Sequence, residues 1–239
     1  MMIEIYSNEL FKIIQYKDNS VCKIIFSYPN KIIINSIIKT KLITGVNSTE
    51  EFKIIKFKAE SVKTLEQYKK TNEKIYGRNK ISVNEISKLV NSLSLQLKYL
   101  LQFENNTILG YHPQDIIVVN ENKFIFINSL LLREIQNENI LISFPFKQSD
   151  FFLSPELLKI NILPSYIHYK TTYFSFALLL LYLLTDDNFY KEYLNYHPFK
   201  KSHKLLDFVD NNYIRNTKLY SLISRCLVED PKNRSILFI

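Results

Sequence analysis

Gly110-Tyr111-His112-Pro113-Gln114-Asp115 separates two segments with different hydrophobic periodicities. Downstream, Ile116–Val119 and Phe124–Ile127 flank the polar Asn120-Glu121-Asn122-Lys123, which predicts a β-hairpin closed by a four-residue turn. Upstream, Ile86, Leu89, Val90, Leu93, Leu97, Leu100 and Leu101 recur at helical spacing and form one apolar stripe. Ser82-Val83-Asn84-Glu85 opens that helix as a capping box. The serine hydroxyl can accept from an orphan amide while the glutamate reaches back to the cap.

Further towards the N-terminus, Phe11–Tyr16, Val21–Tyr28, Ile32–Ile43 and Phe52–Phe57 are rich in Ile, Phe and Tyr and read as strands. Turn signals at Asp18-Asn19-Ser20, Pro29-Asn30 and Gly45–Thr49 separate them. A small antiparallel sheet is expected, with no helix between Ile32 and Lys58. Ser61 precedes a short helical pattern through Leu65 and Tyr68, and a polar stretch to Lys80 follows. On the C-terminal side a long loop is expected to about Phe152. Phe174 to Leu184 is apolar around its circumference, as in a fully buried helix, and it falls short of the ~20 residues that span a bilayer. Leu219, Leu222, Ile223, Cys226 and Leu227 form the stripe of a last helix that ends near Asp230-Pro231. Strands followed by helices indicate an α+β architecture.

With 239 residues, 46% of them hydrophobic, the chain can bury one sizeable core or two small lobes. Cys22 and Cys226 lie in separate apolar segments without CxxC spacing, which suggests a reducing, intracellular setting and neither disulfides nor a zinc knuckle. No export leader is expected. The net charge of +8 is spread over many lysines. A bias to Ile, Asn, Lys and Tyr suits A+T-rich codons, as in a parasite or a large DNA virus, with a viral factory or virion as the alternative to the cytoplasm. The densest basic stretch, Lys53, Lys56, Lys58, Lys63, Lys69, Lys70, Lys74, Arg78 and Lys80, is diluted by Glu60, Glu66 and Glu73. His112, His168, His197 and His203 form no HxxxH pattern, and Ser154 lies in no GxSxG elbow, so neither a zinc site nor a hydrolase is indicated.

In their order, the C-terminal motifs resemble those of a protein kinase. That family places a long helix before its catalytic loop, follows the loop with a hairpin, and continues with a metal-binding Asp, an activation segment and a buried helix. Tyr99-Leu100-Leu101 through Ile108 resembles the end of the long helix and the approach to the loop. Pro113-Gln114-Asp115-Ile116-Ile117 resembles Pro-Glu-Asn-Ile-Leu. Counted back without a gap, Gly110 stands at the position of the catalytic Asp, with Ile108 and Leu109 in place of His-Arg. Asn128-Ser129-Leu130 stands where the family has Asp-Phe-Gly, and Ser154-Pro155-Glu156 where it has Ala-Pro-Glu. Thr172-Tyr173-Phe174-Ser175-Phe176-Ala177 is similar to Asp-x-Trp-Ser-x-Gly without its Asp and Gly. The likeness runs from about Ser61 to the C-terminus, and it implies an ion pair between Glu156 and Arg234 of Asp230-Pro231-Lys232-Asn233-Arg234.

The resemblance implies an α+β, kinase-like bilobal fold, with a reduced, β-rich N-lobe over residues 1–58 and a mainly helical C-lobe over 59–239. Gly45, Gly77 and Gly110 are the only glycines, too few for a GxGxxG loop. Lys39 and Lys41 lie only roughly where the family's third-strand lysine would be and read more simply as solvated strand-end lysines. Gly110 cannot accept a proton, and loss of a general base forfeits ~10²- to 10⁴-fold in rate. The metal-ligand types are exchanged, with Asp115 where the family has Asn and Asn128 where it has Asp. One carboxylate and one amide oxygen could still hold magnesium and ATP weakly. Equally, Asp115 suits a loop cap and Asn128 a turn. The expectation is a catalytically degenerate, kinase-like scaffold with a protein partner, no resident cofactor and no membrane span. One alternative is an atypical ATP-dependent serine/threonine protein kinase using Asp115 and Asn128 for metal. Another is a basic nucleic-acid-binding module.

Overall fold

Alternation of side chains builds the first sheet. The computed structural model describes residues 2–16, 20–49, 51–76, 81–145, 152–185, 205, 209–210 and 214–237. The expected turn at Asp18-Asn19, Arg78 and Lys80 of the basic stretch, His197 and His203 lie outside the described residues. Strands β1 (Met2–Ser7), β2 (Phe11–Tyr16), β3 (Val21–Phe26), β4 (Asn47–Thr49) and β5 (Ile54–Lys58) form an antiparallel sheet in the order β1-β2-β3-β5-β4. Pairing of Ile13 with Ile24 and of Cys22 with Phe57 gathers Phe11, Ile13, Cys22, Ile24 and Phe57 on one buried face. The opposite face carries Lys12, Lys23, Lys56 and Lys58.

The strand expected over Ile32–Ile43 is instead a helix, α1 (Lys31–Thr40), so the expectation of a helix-free N-terminal part is corrected. Five isoleucines in eight residues satisfy either reading, because an apolar run does not by itself distinguish a buried strand from a buried helix. Tertiary contacts decide. Ile33, Ile34 and Ile37 are fully buried at i, i+1 and i+4, and Ser36 between them accepts a hydrogen bond from Gln96 Nε2 at 2.9 Å. Lys41 then stops the helix in the left-handed region at φ 52°.

The helix expected after Ser61 starts at Leu65, behind a short strand. Val62–Thr64 is a strand, β6, and α2 runs over Leu65–Tyr76. The long helix α3 (Val83–Phe103) starts at the expected capping box, with Ser82 N donating to Glu85 Oε2 at 3.0 Å and Glu85 N to Ser82 Oγ at 3.3 Å. After β7 (Asn106–Ile108) comes the hairpin of β8 (Ile116–Val119) and β9 (Lys123–Phe126), to which β6 adds an edge. Its turn is one residue tighter than expected, because Lys123 already pairs with Val119.

The segment after the hairpin is not the long loop expected. It forms β10 (Leu132–Gln136) and β11 (Asn139–Ile142), joined by Asn137 and Glu138 at φ 49° and 61°. Two consecutive positive φ values are the signature of a tight hairpin turn, here without the Asn-Gly pair that usually announces it. With β12 (Ser165–His168) these strands complete a four-stranded sheet of order β12-β11-β10-β7. Helix α4 (Pro155–Leu158) precedes β12, and α5 (Thr171–Leu184) and α6 (Lys218–Cys226) follow it. All but one of the α5 side chains are buried, which accounts for its lack of a polar face.

The structure is thus mixed α+β with antiparallel sheets and several helices. Two compact units are formed, one from Met1–Gly77, Lys88–Glu104 and Pro113–Leu130, the other from Arg78–Ser87, Asn105–His112 and Leu131–Ile239. Among the described residues no helix is long and apolar enough to cross a membrane.

Candidate functional site

In the first unit, the β8–β9 hairpin brings Asp115 and Asn128 together. Ile116 pairs with Phe126, so the residue before β8 and the residues after β9 must meet, and Ile127 N donates to Asp115 O at 2.9 Å. Asp115 ends a 3-10 turn, Pro113–Asp115. Asn128 Nδ2 donates to Asp115 Oδ2 at 2.9 Å, and Asn128 Oδ1 accepts from Leu130 N at 2.9 Å. The Leu130 amide can only donate, which fixes the orientation of the Asn128 amide. Each side chain is 4% exposed. Burial pushes the Asp115 carboxyl up to about 6, and the bond from Asn128 acts in the opposite direction.

Magnesium takes oxygen ligands. As arranged, Asp115 offers a carboxylate but Asn128 turns its nitrogen towards it, so binding through both residues requires the amide to rotate and give up both of its hydrogen bonds. The pair does not fit a resident metal centre. Among the described residues no group of three or more His, Cys, Asp or Glu side chains is placed to hold a metal.

A polar chain fixes the neighbouring residue. Tyr6 OH donates to Gln114 Oε1 at 3.0 Å, Gln114 Nε2 donates to Glu66 Oε2 at 2.6 Å, and Glu66 Oε1 pairs with Lys70 at 2.8 Å. Gln96 plays a similar part from α3, donating to Phe126 O and accepting from Phe126 N, both at 2.9 Å. Neither network is visible in sequence, since the partners of Gln114 and Gln96 are 108 and 30 positions away. The third strand does carry a lysine, Lys23, but it lies on the sheet face opposite to Cys22 and Ile24, beside Lys56. Lys39 and Lys41 are on or beyond α1 and on no strand.

In the second unit, Gly110 supplies no side chain for chemistry. Its neighbours are tied to α5, where Ser175 Oγ donates to Leu109 O at 3.0 Å and Tyr111 OH lies 3.5 Å from Thr172 Oγ1. Ser154 Oγ contacts Thr171 Oγ1, which places it in a structural hydroxyl pair. Glu156 and Arg234 meet as an ion pair. Arg234 also donates from Nε to Val228 O at 2.7 Å and from Nη2 to Glu229 O at 2.9 Å, and its guanidinium carbon sits 4.9 Å from the centre of the Phe174 ring.

The basic stretch is not one exposed cluster. Lys69 is buried, Lys70 faces Glu66, and Lys63 approaches Glu121 at 3.8 Å. Cys22 and Cys226 are free and buried, and burial pushes both thiols up to about 12. No protein-family model matches the chain, and no curated protein matches it.

Proposed function

We propose that the protein is a catalytically degenerate, kinase-like scaffold that acts by presenting surfaces to a protein partner. The observation that carries this reading is the state of the exchanged pair. Asn128 and Asp115 satisfy each other inside the first unit, while Gly110 contributes no base. Phosphoryl transfer rests on positioning and on metal-assisted charge neutralisation, and these residues are committed to holding a hairpin end instead.

Three further features support the kinase-like part. Helix α1 directly follows the third strand, where the family carries a helix, although Lys31–Thr40 holds no Glu to partner a lysine. The ion pair of Glu156 and Arg234 links the two motifs that the resemblance pairs. Ser175 and Thr172, from the motif matched to the start of the buried helix, hold the backbone and ring just before and after Gly110. The cellular setting proposed is intracellular, with no resident cofactor.

The atypical-kinase reading keeps one point in its favour, the 2.9 Å approach of a carboxylate and an amide at the two family metal positions. Thermal shifts with ATP and magnesium, run beside a sensitive phosphotransfer assay, separate the two. Both measurements are expected to be flat. Stabilisation by ATP that needs magnesium and vanishes in Asp115→Ala would move the enzyme reading ahead.

A further inference from the structure

The outward face of the five-stranded sheet gathers lysines from two neighbouring strands. Lys23 on β3 is the register partner of Lys56 on β5, and Lys58 lies two residues further along β5 on the same face. Directly opposed side chains stand ~5 Å apart and alternate ones on a strand ~7 Å apart, so three ammonium groups share one small area. Lys56 and Lys58 are exposed and Lys23 is half-buried. Like charges placed opposite each other destabilise a sheet. Glu4 pairs with Lys12 at the β1 side, and among the described residues no carboxylate forms an ion pair with Lys23, Lys56 or Lys58. Tyr16 completes the patch. It pairs with Val21, whose partner on β5 is Lys58, so its half-buried ring shares this face and lies diagonal to Lys23.

We infer that this face binds the phosphodiester backbone of single-stranded nucleic acid, with Lys23, Lys56 and Lys58 on neighbouring phosphates and a base on the Tyr16 ring. Charge selects a polyanion, and the net charge of +8 adds long-range attraction. The apolar floor of the face argues against a membrane. Ile14 and Ile54 are 6% and 3% exposed between the lysines, and among the described residues Met2, at the β1 edge, is the one large apolar side chain of this face that stands exposed. A membrane-binding surface presents several apolar side chains beyond its cations. A duplex keeps its bases stacked inside, out of reach of a ring on a sheet, whereas a single strand can follow the face and stack on Tyr16. The patch differs from the basic stretch read along the sequence, because Lys23 joins Lys56 and Lys58 only through strand pairing. The inference goes beyond the scaffold reading and does not rest on it.

Fluorescence anisotropy of labelled oligouridylate and oligothymidylate, each of about 20 nucleotides, titrated with the full chain tests it. Both should bind alike, because phosphates and base faces are common to them. Three neutralised phosphates at ~0.7 per contact give a slope of log K against log salt near about −2, so binding should weaken about 20-fold between about 50 and 200 mM salt. Lys56→Gln should reduce that slope by about 0.7. Lys23→Glu, which sets opposite charges in register with Lys56, should weaken binding at least about tenfold without lowering the melting temperature. Tyr16→Leu should cost about fivefold or more. Lys39→Glu makes the same change in net charge at an exposed position of α1 and should alter binding by less than about twofold. No binding at about 50 mM salt, equal losses in Lys23→Glu and Lys39→Glu, or indifference to Lys56→Gln or Tyr16→Leu would each overturn the proposal. So would tighter binding to a duplex of the same length, or binding confined to phosphatidylcholine–phosphatidylserine vesicles.

Discussion

Asn128 donates its side-chain amide to the Asp115 carboxylate at 2.9 Å, from the far end of the hairpin that Asp115 begins. This bond couples a question of function to one of stability. A buried carboxylate with one amide donor is poorly compensated, and the folded protein bears the cost wherever the group is ionised.

For Asp115 the direction of the pH dependence follows from its raised pKa, about 6 against an ordinary 3.8. The folded state holds the proton more tightly than the unfolded chain, so stability from this group is full below about pH 4 and falls as pH rises through about 6. Above that, the cost is on the order of 3 kcal/mol. Asp115→Asn keeps an acceptor for Asn128 and removes the charge. Its melting temperature should exceed that of the parent by several degrees at about pH 8 and match it near pH 4. A gain of equal size at both pH values would show that the charge is not the cause.

Glu156→Gln should destabilise the second unit. Breaking a buried pair costs about 3–5 kcal/mol, and the 20% exposure of the Glu156 side chain together with the carbonyl partners of Arg234 brings this down to roughly 2–3 kcal/mol. Thermal denaturation should show a drop of roughly 5–10 °C. An unchanged melting curve would mean that the charge of Glu156 contributes nothing to holding Arg234.

Gln96→Leu tests the buried clip between α3 and β9. The substitution leaves Phe126 N–H and C=O without their side-chain partner and removes the donor to Ser36. At about 1–3 kcal/mol per orphaned buried group, a loss of roughly 3 kcal/mol is expected in urea denaturation. A loss below about 1 kcal/mol would show that water or a rearranged backbone replaces the clip.

Lys41→Gly should stabilise the protein by about 1 kcal/mol, because the left-handed conformation at φ 52° strains a side chain and suits glycine. The same change tests the helix itself. If residues 31–40 were a strand continuing through Lys41, glycine would instead destabilise it, and chemical denaturation reads the sign directly.

Elements whose signals lie within a few residues are legible in the sequence. Ser82 and Glu85 cap α3 as their spacing predicts, and Ile116–Val119 pairs with the run from Lys123 because the polar residues between them allow a turn. The all-apolar Phe174–Leu184 is a buried helix.

The other features depend on long-range packing. The isoleucines of 32–38 fit a strand or a helix equally, and a buried face around Ser36, reached by Gln96 from 60 positions away, selected the helix. The β10–β11 hairpin was hidden because Asn137-Glu138 takes up left-handed backbone without glycine, held by pairing with β7 and β12. Asp115 and Asn128 could be named from the motifs, but whether they face a cation or each other depends on the amide of Leu130 and on burial. Local patterns encode backbone preference, whereas register, burial and the partner of each polar group depend on segments remote in sequence, whose approach no short stretch can specify.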